Sequence, residues 1–71
     1  MNKVTAKVYL ASKVSNDGQT ALVFHADYAG GANKEWAKYT PALGLNMQVL
    51  DSVAENFVAG GKYTLTFDEA I

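Results

Sequence analysis

Residues 4–28 read VTAKVYLASKVSNDGQTALVFHADY and contain two alternating runs separated by a turn sequence. In the first run apolar residues recur at every second position, which is the period of a strand with one buried face. The second run, from Thr20 to Tyr28, alternates in the same way. The intervening Asp17-Gly18 pair suits the positive φ angles of a tight two-residue turn. The stretch therefore predicts a β-hairpin.

The alternation also assigns the two faces of this hairpin. The first predicted strand spans Lys3 to Val14 and turns its apolar side chains to one side. The side chains predicted to be buried are Val4, Ala6, Val8, Leu10, Leu22, Phe24, Ala26 and Tyr28. The opposite side carries mostly polar residues and is predicted to face solvent.

Two further alternating runs lie in the second half of the chain, and both predict strands. Residues 42–50 place four apolar side chains on one face, namely Leu43, Leu45, Met47 and Val49. Residues 62–67 turn three apolar side chains inward, namely Tyr63, Leu65 and Phe67. Residues 34–39 are compatible with a short third strand or with one turn of helix. Pro41 favours the strand, because it biases Thr40 towards extended backbone.

Between the last two predicted strands the apolar period changes to that of a helix. Ser52 and Glu55 have the Ser-x-x-Glu spacing of a capping box, in which each side chain accepts a hydrogen bond from the other residue's backbone amide. This predicts a helix of about two turns from Ser52 to Val58. Gly60-Gly61 is predicted to stop that helix in a left-handed backbone conformation.

The predicted element order is β-β-β-β-α-β. Short strands joined by tight turns indicate a mainly β protein, a small curved antiparallel sheet or barrel of about five strands with one short helix before the last strand. No linker, repeat or low-complexity tract interrupts residues 1–71, which predict a single domain.

The composition excludes several classes of site. The chain has 71 residues, with no cysteine, one histidine, six lysines, no arginine and a formal net charge of -1. Without cysteine it has neither a disulfide scaffold nor a cysteine zinc site. The balanced charge argues against a nucleic-acid coat protein, and the lack of arginine disfavours sequence-specific DNA binding. The lack of an apolar segment suited to a membrane span or a signal peptide predicts a cytoplasmic protein without membrane contact.

The candidate binding segment is residues 31–39, which hold basic and aromatic side chains beside a glycine pair. The residues predicted to contact a ligand or partner are Gly31, Asn33, Lys34, Trp36, Lys38 and Tyr39. Such a strip can stack a base and neutralise a phosphate, while Trp and Tyr also anchor protein interfaces. The open alternative is that Trp36 is a core residue flanked by solvated lysines.

The sequence shows no constellation typical of catalysis or metal binding. His25 and Asp27 share a strand face, but a solvated polar face explains them better than a histidine–carboxylate pair, since a catalytic cleft usually needs a larger scaffold. The acidic residues lack the spacing of an oxygen-ligand loop. We therefore expect no enzymatic activity, no metal and no cofactor.

The small size of the chain predicts a homo-oligomer. A domain of this length without disulfides or metal is often marginal unless it associates. Apolar side chains are also predicted outside the main core face, namely Tyr9, Val23, Tyr39 and Leu50. Uncovered apolar surface of this kind usually marks an interface.

Part of the sequence resembles a known group of proteins. The Asn33-Lys34-Glu35-Trp36 segment is followed by an apolar strand and by a Gly-x-x-Tyr-x-Leu-x-Phe strand that ends at Phe67. The pattern spans about half of the chain and resembles small uncharacterised proteins of tailed bacteriophages and prophages. The resemblance implies a viral origin and a place in the cytoplasm of the infected bacterium. It implies no activity and no site residues.

These observations together predict a small phage-encoded, non-catalytic binding protein. The favoured role is an accessory or counter-defence factor that masks a host protein or sequesters a small anionic ligand such as a signalling nucleotide. The alternative is a virion component, a decoration or tail-adaptor subunit, which the lack of extended arms disfavours. A small nucleic-acid-binding regulator is disfavoured by the lack of arginine and of a basic face.

Overall fold

The computed structural model describes residues 3–28, 33 and 42–70. They form β1 (Lys3–Asn16), β2 (Gln19–Ala26), β3 (Gly44–Leu50), the short helix α1 (Asp51–Ala54) and β4 (Lys62–Asp68). All strand pairs are antiparallel, and the order across the sheet is β3-β2-β1-β4. The sheet curls into a half-barrel, which confirms the predicted mainly β fold with one short helix before the last strand. The strand predicted over residues 34–39 lies outside the described residues.

The β1–β2 hairpin forms at the predicted turn. Asn16 pairs with Gln19, so the loop between the strands has two residues. Asp17 has a φ of 58° and Gly18 a φ of 83°. Two successive positive φ angles match the twist of the flanking strands, which is why Asp-Gly is favoured in hairpin loops of this length.

A bulge in β1 changes which of its side chains face the core. The register against β2 shifts between Leu10 and Ser12, so that Ala11 is the extra residue. Such an insertion exchanges the faces of all later residues in the strand. Lys13 therefore lies on the core side, where its ammonium donates a hydrogen bond to the carbonyl oxygen of Phe57 at 2.8 Å. The alternation alone does not predict this bulge.

The core lies on one side of the sheet, called the inner face below. Its buried cluster consists of Ala6, Val8, Leu10, Leu22 and Phe24. The half-buried side chains packed on it are Leu43, Leu45, Val49, Phe57, Tyr63 and Leu65. Val4 and Phe67 pair across β1 and β4 on the same side but are half exposed at the end of the sheet. Tyr28, which was predicted to join this face, lies beyond β2 and is exposed.

The predicted bounds of the helix and its capping box are wrong. The helix α1 is a single turn and begins at Asp51 rather than at Ser52. Leu50 occupies the N-cap position, and no side chain caps the helix. A single turn gains little stability from its own hydrogen bonds, so tertiary contacts decide where it begins.

Asp51 makes those tertiary contacts with the β1–β2 hairpin. Its carboxylate accepts hydrogen bonds from the Thr20 hydroxyl at 2.6 Å and from the Ser15 hydroxyl at 3.3 Å. Its backbone amide donates to the carbonyl oxygen of Gly18 at 3.2 Å. The end of β3 is therefore fastened to the turn of the hairpin, and the helix begins at the residue that makes this connection.

Residues 55–61 connect α1 to β4 and place Phe57 on the inner face. The Phe57 ring packs edge-on against Phe24, with centroids 5.8 Å apart, and against Tyr63, at 5.4 Å. Edge-to-face pairs at these distances add to the stability gained by burying the rings. Phe57 is thus the side chain through which the connection packs on the core.

Gly60 and Gly61 close a turn rather than stop a helix. Gly60 has the left-handed φ of 82°, as predicted. Its amide donates to the Leu10 carbonyl, and the Leu10 amide donates to the Gly61 carbonyl, so two glycines oppose one residue of β1. This is a bulge at the entry to β4. A Cβ on Gly61 would lie 2.9 Å from the Val58 carbonyl oxygen, a contact that only glycine avoids.

Candidate ligand-binding face

The side of the sheet opposite the core, called the outer face below, brings polar side chains of three strands together. Tyr9 lies on β1 between His25 of β2 and Lys62 of β4, each directly opposite it in the register. Lys7 lies two residues before Tyr9 and therefore on the same face. We call Lys7, Tyr9, His25 and Lys62 the ring–lysine cluster.

The two rings of the cluster lie side by side. The ring centroids of Tyr9 and His25 are 6.1 Å apart, and the ring planes are inclined at 37°. Tyr9 is half-buried and His25 is exposed. Gly44 is the partner of His25 on β3, and a Cβ there would meet no atom of the described residues within 4 Å. Among these residues, the ring pair therefore has open space on its β3 side.

The two lysines flank the rings and are each held by a neighbour. The Lys7 ammonium donates to the Thr64 hydroxyl at 3.1 Å. The Lys62 ammonium lies 3.6 Å from the Asp27 carboxylate. The Lys62 side chain is 67% exposed and that of Asp27 only 15%, so the carboxylate is fixed while the ammonium remains open to solvent. Exposed ion pairs contribute less than about 1 kcal/mol, so an incoming anion can compete for Lys62.

Asn33 is the one predicted site residue that the structure describes. It is buried, and its side-chain amide donates to the backbone carbonyls of Lys7 and Asp27, both at 2.9 Å. Its side-chain oxygen accepts from the Lys7 amide at 2.6 Å. The Asp27 amide still donates to the Lys7 carbonyl at 2.9 Å, and the Asn33 side chain bridges the Lys7 amide and the Asp27 carbonyl. These bonds satisfy backbone groups that would be costly to bury unpaired.

The other predicted site residues lie outside the described residues, so their predicted role in binding stays a prediction. They are Gly31, Lys34, Trp36, Lys38 and Tyr39. What the structure adds is the position of Asn33, from which this segment continues along the chain. Asn33 contacts the backbone of Lys7, a member of the ring–lysine cluster. Of the predicted binding segment, Asn33 itself therefore lies beside a member of the outer-face cluster.

His25 and Asp27 contact different neighbours. The His25 ring adjoins Tyr9, whereas the Asp27 carboxylate is paired with Lys62. Within residues 3–28, 33 and 42–70, no three histidine, aspartate or glutamate side chains are grouped closely enough to hold a metal ion.

A groove without charged side chains runs beside the cluster between β2 and β3. It has a volume of about 460 Å³ and is lined by Ala21, Leu22, Val23, Asn46, Met47 and Gln48. Ala21, Val23, Asn46 and Gln48 belong to the outer face, because they alternate with the core residues of their strands. The outer face therefore has a charged end with two rings and an uncharged end with aliphatic and amide groups.

Sequence reasoning missed the ring–lysine cluster, although part of its signal was present. The alternation of β1 already put Lys7 and Tyr9 on one face, and that of β2 put His25 on the polar side. The alternation did not show which strand pairs with β1 on the side away from β2. Only the pairing of β1 with β4 brings Lys62 next to Tyr9, and strand order is not encoded in local periodicity.

No helix of the described chain has the length and apolar character needed to cross a membrane. No protein-family model matches the sequence, and neither a curated protein nor a solved structure shows significant similarity to it.

Proposed function

We propose that the protein is a small non-catalytic binding protein that holds a nucleotide on the outer face of its sheet. The observation that carries the proposal is the ring–lysine cluster, in which the open Tyr9–His25 ring pair lies between two lysines. A nucleotide combines the two groups that this arrangement attracts, a flat base and an anionic phosphate.

The ring pair supplies a stacking surface. Stacking of a base on an aromatic side chain contributes about 1–3 kcal/mol, and sheet faces that bind single-stranded nucleic acid use aromatic residues of their strands in this way. Tyr9 lies on β1, one of the two inner strands, so it is flanked by a strand on each side. Its half-buried position limits the freedom that it would lose on binding.

The lysines supply the charge for the phosphates. An ammonium acts as a compact point charge and does not require the fixed geometry of a guanidinium group. Lys62 lies one strand away from Tyr9, and Lys7 lies two residues away, which separates the backbone positions by about 5 Å and about 7 Å. These spacings suit a base on the rings and phosphates at the lysines within one ligand.

The uncharged groove offers a way to recognise the base. Asn46 and Gln48, whose side chains end in amides, are among the residues that line it. Such amides hydrogen-bond well to the edge of adenine, to which they can both donate and accept. We therefore choose adenine nucleotides as the first ligands to test.

The setting that we propose is the cytoplasm of a phage-infected bacterium, and it rests on the sequence resemblance alone. In that setting, sequestering a signalling nucleotide would be a counter-defence activity.

Calorimetric titration with ATP, adenosine and tripolyphosphate tests the proposal. We expect ATP to bind more tightly than either fragment, because only ATP engages both the rings and the lysines. Raising the salt concentration from about 20 mM to about 500 mM should weaken the binding of ATP by screening the phosphate contacts. The absence of ATP binding at low salt would contradict the proposal.

Paired variants locate the site. Lys62→Gln and Lys7→Gln should each weaken ATP binding severalfold, whereas Lys3→Gln, which removes an equivalent charge four residues from Lys7, should leave it unchanged. Tyr9→Phe should retain binding and Tyr9→Leu should lose it, because only the first keeps a ring. Equal losses for Lys3→Gln and Lys62→Gln would show general electrostatic attraction rather than a site.

A further inference from the structure

The outer edge of β3 lacks the features that normally keep a strand edge from pairing. Among the described residues, no strand pairs with β3 on the side away from β2. Its seven residues, Gly44–Leu50, include no charged residue and no proline. The register against β2 is continuous, so no bulge bends the edge away. Charges, prolines and bulges are the usual protection of edge strands, and a strand without them readily accepts another strand.

The register shows which backbone groups of β3 point outward. Leu10 directs its amide and carbonyl to Gly61 and Gly60 on the β4 side. The backbone groups of an antiparallel strand point alternately to its two neighbours. Because Leu10 bonds to the β4 side, Phe24, which lies opposite Leu10 on β2, directs its own backbone groups to Leu45 of β3. The outward amides and carbonyls of β3 consequently belong to the alternate residues, which are Gly44, Asn46, Gln48 and Leu50.

We propose that β3 pairs with the β3 strand of a second copy of this chain, antiparallel and about a two-fold axis at Met47. This register pairs all seven residues. Met47 then lies opposite Met47 of the partner subunit, and Asn46 lies opposite Gln48 of the partner subunit. The pairing joins the four described strands of each copy into one continuous sheet.

The strand is complementary to itself in this register. On the outer face amides meet amides, because Asn46 of each copy lies opposite Gln48 of the partner subunit. Its inner-face aliphatic residues meet aliphatic residues, because Leu45 faces Val49 of the partner subunit. Met47, which is 40% exposed in the single chain, becomes covered at the axis. Opposed side chains of matching type are what stabilises antiparallel pairs.

A second copy fits this edge better than an unrelated charged partner. The chain has a net charge of only -1, and β3 contributes none of it, so two copies approach without local repulsion. Two-fold symmetric pairs in which the same surface is used twice are the commonest form of protein oligomer. The pairing leaves the four side chains of the ring–lysine cluster free, although it uses Asn46 and Gln48, which also line the uncharged groove.

Mass measurement by light scattering, together with substitutions of Gln48, tests the pairing. The wild-type protein should have twice the 7.6 kDa chain mass at micromolar concentration. Gln48→Pro removes an outward amide that β2 does not use, so the chain should remain folded by circular dichroism and become monomeric. Gln48→Ala keeps that amide and should remain dimeric. A wild-type monomer, or a folded dimer of Gln48→Pro, would overturn the proposal.

Single cysteines locate the axis, because the natural chain has none. Met47→Cys places two thiols opposite each other and should give a covalent dimer on mild oxidation. Leu65→Cys is the matched control, since Leu65 is the central residue of β4 and also faces inward. Covalent dimers from Leu65→Cys instead of Met47→Cys would move the interface to the other edge and overturn the proposal. Both tests measure association of the chain, so a failure of the protein to bind ATP would not change their outcome.

Discussion

The two edge strands of the sheet are equally long but are built differently. Both β3 and β4 have seven residues. β4 is entered through the Gly60–Gly61 bulge, and its terminal residues, Lys62 and Asp68, carry charges that pair within the chain. β3 has no charge and no bulge, and a Cβ at its first residue, Gly44, would meet no described atom within 4 Å. The β4 edge thus carries a bulge and paired charges, whereas the β3 edge is a regular, uncharged strand.

The difference extends to how each strand is attached to the rest of the fold. Tyr63 of β4 packs in the aromatic cluster with Phe57, and its hydroxyl accepts a hydrogen bond from the Val58 amide at 2.8 Å. β3 is fastened at its end by polar contacts of Asp51. Both strands pack side chains on the core, Leu45 and Val49 from β3 and Tyr63 and Leu65 from β4, but only β4 contributes an aromatic ring to the contacts with Phe24 and Phe57. Changes on the β4 side should therefore cost the most stability.

Phe57→Ala should lower the free energy of unfolding most, because it removes the ring that packs the connection between α1 and β4 (residues 55–61) on the core. Phe-to-Ala changes in full cores cost about 3–5 kcal/mol, and we expect about 2–4 kcal/mol for this half-buried ring. Val58→Ala is the control, since Val58 is 66% exposed and should cost less than about 0.5 kcal/mol. Urea denaturation measures both. Equal costs would show that the segment is not held by its ring.

Glycine substitutions compare the entries to the two edge strands. Gly61→Ala places a methyl group 2.9 Å from the Val58 carbonyl oxygen and should destabilise the fold by about 1–3 kcal/mol. Gly44→Ala meets no atom within 4 Å and should be neutral or stabilising by up to about 1 kcal/mol. Thermal melts of the two variants give the comparison. A Gly44→Ala variant as unstable as Gly61→Ala would remove the distinction between the edges.

Asp51→Ala should have a smaller effect, of about 1 kcal/mol, because its hydrogen bonds to Thr20 and Ser15 are partly exposed to solvent. Ser52→Ala should change the free energy of unfolding by less than about 0.5 kcal/mol, since Ser52 caps nothing. Denaturant melts of both variants decide between the two residues. A larger loss of stability for Ser52→Ala than for Asp51→Ala would show that Ser52 caps the helix after all.

Much of the fold was predictable because it is encoded locally. Alternation gave the strands and their buried sides, and the Asp17-Gly18 pair gave the hairpin with its turn. The helix bounds could not be predicted, because Asp51 is held by hydroxyl groups more than thirty positions away in the sequence. The bulge at Ala11 also has no local signal, since alanine is compatible with a regular strand.

The candidate site was less predictable than the fold. The sequence drew attention to residues 31–39, where basic and aromatic residues are adjacent along the chain. The ring–lysine cluster instead collects residues from three strands, and Lys62 is separated from Tyr9 by most of the sequence. The bonds of Asn33 with the Lys7 backbone likewise join residues 26 positions apart in the sequence. Both features follow from strand order and not from any motif.

The most direct test of the proposed function is a two-dimensional amide NMR titration of the isotope-labelled protein with ATP at low salt. If the outer face holds the nucleotide, the largest shifts should lie at Tyr9, His25 and Lys62, and they should disappear in the Tyr9→Leu variant. The amides of Thr20 and Asp51, at the hairpin end of the sheet, should remain unshifted. Shifts confined to residues outside the ring–lysine cluster, or no shifts at all, would contradict the account.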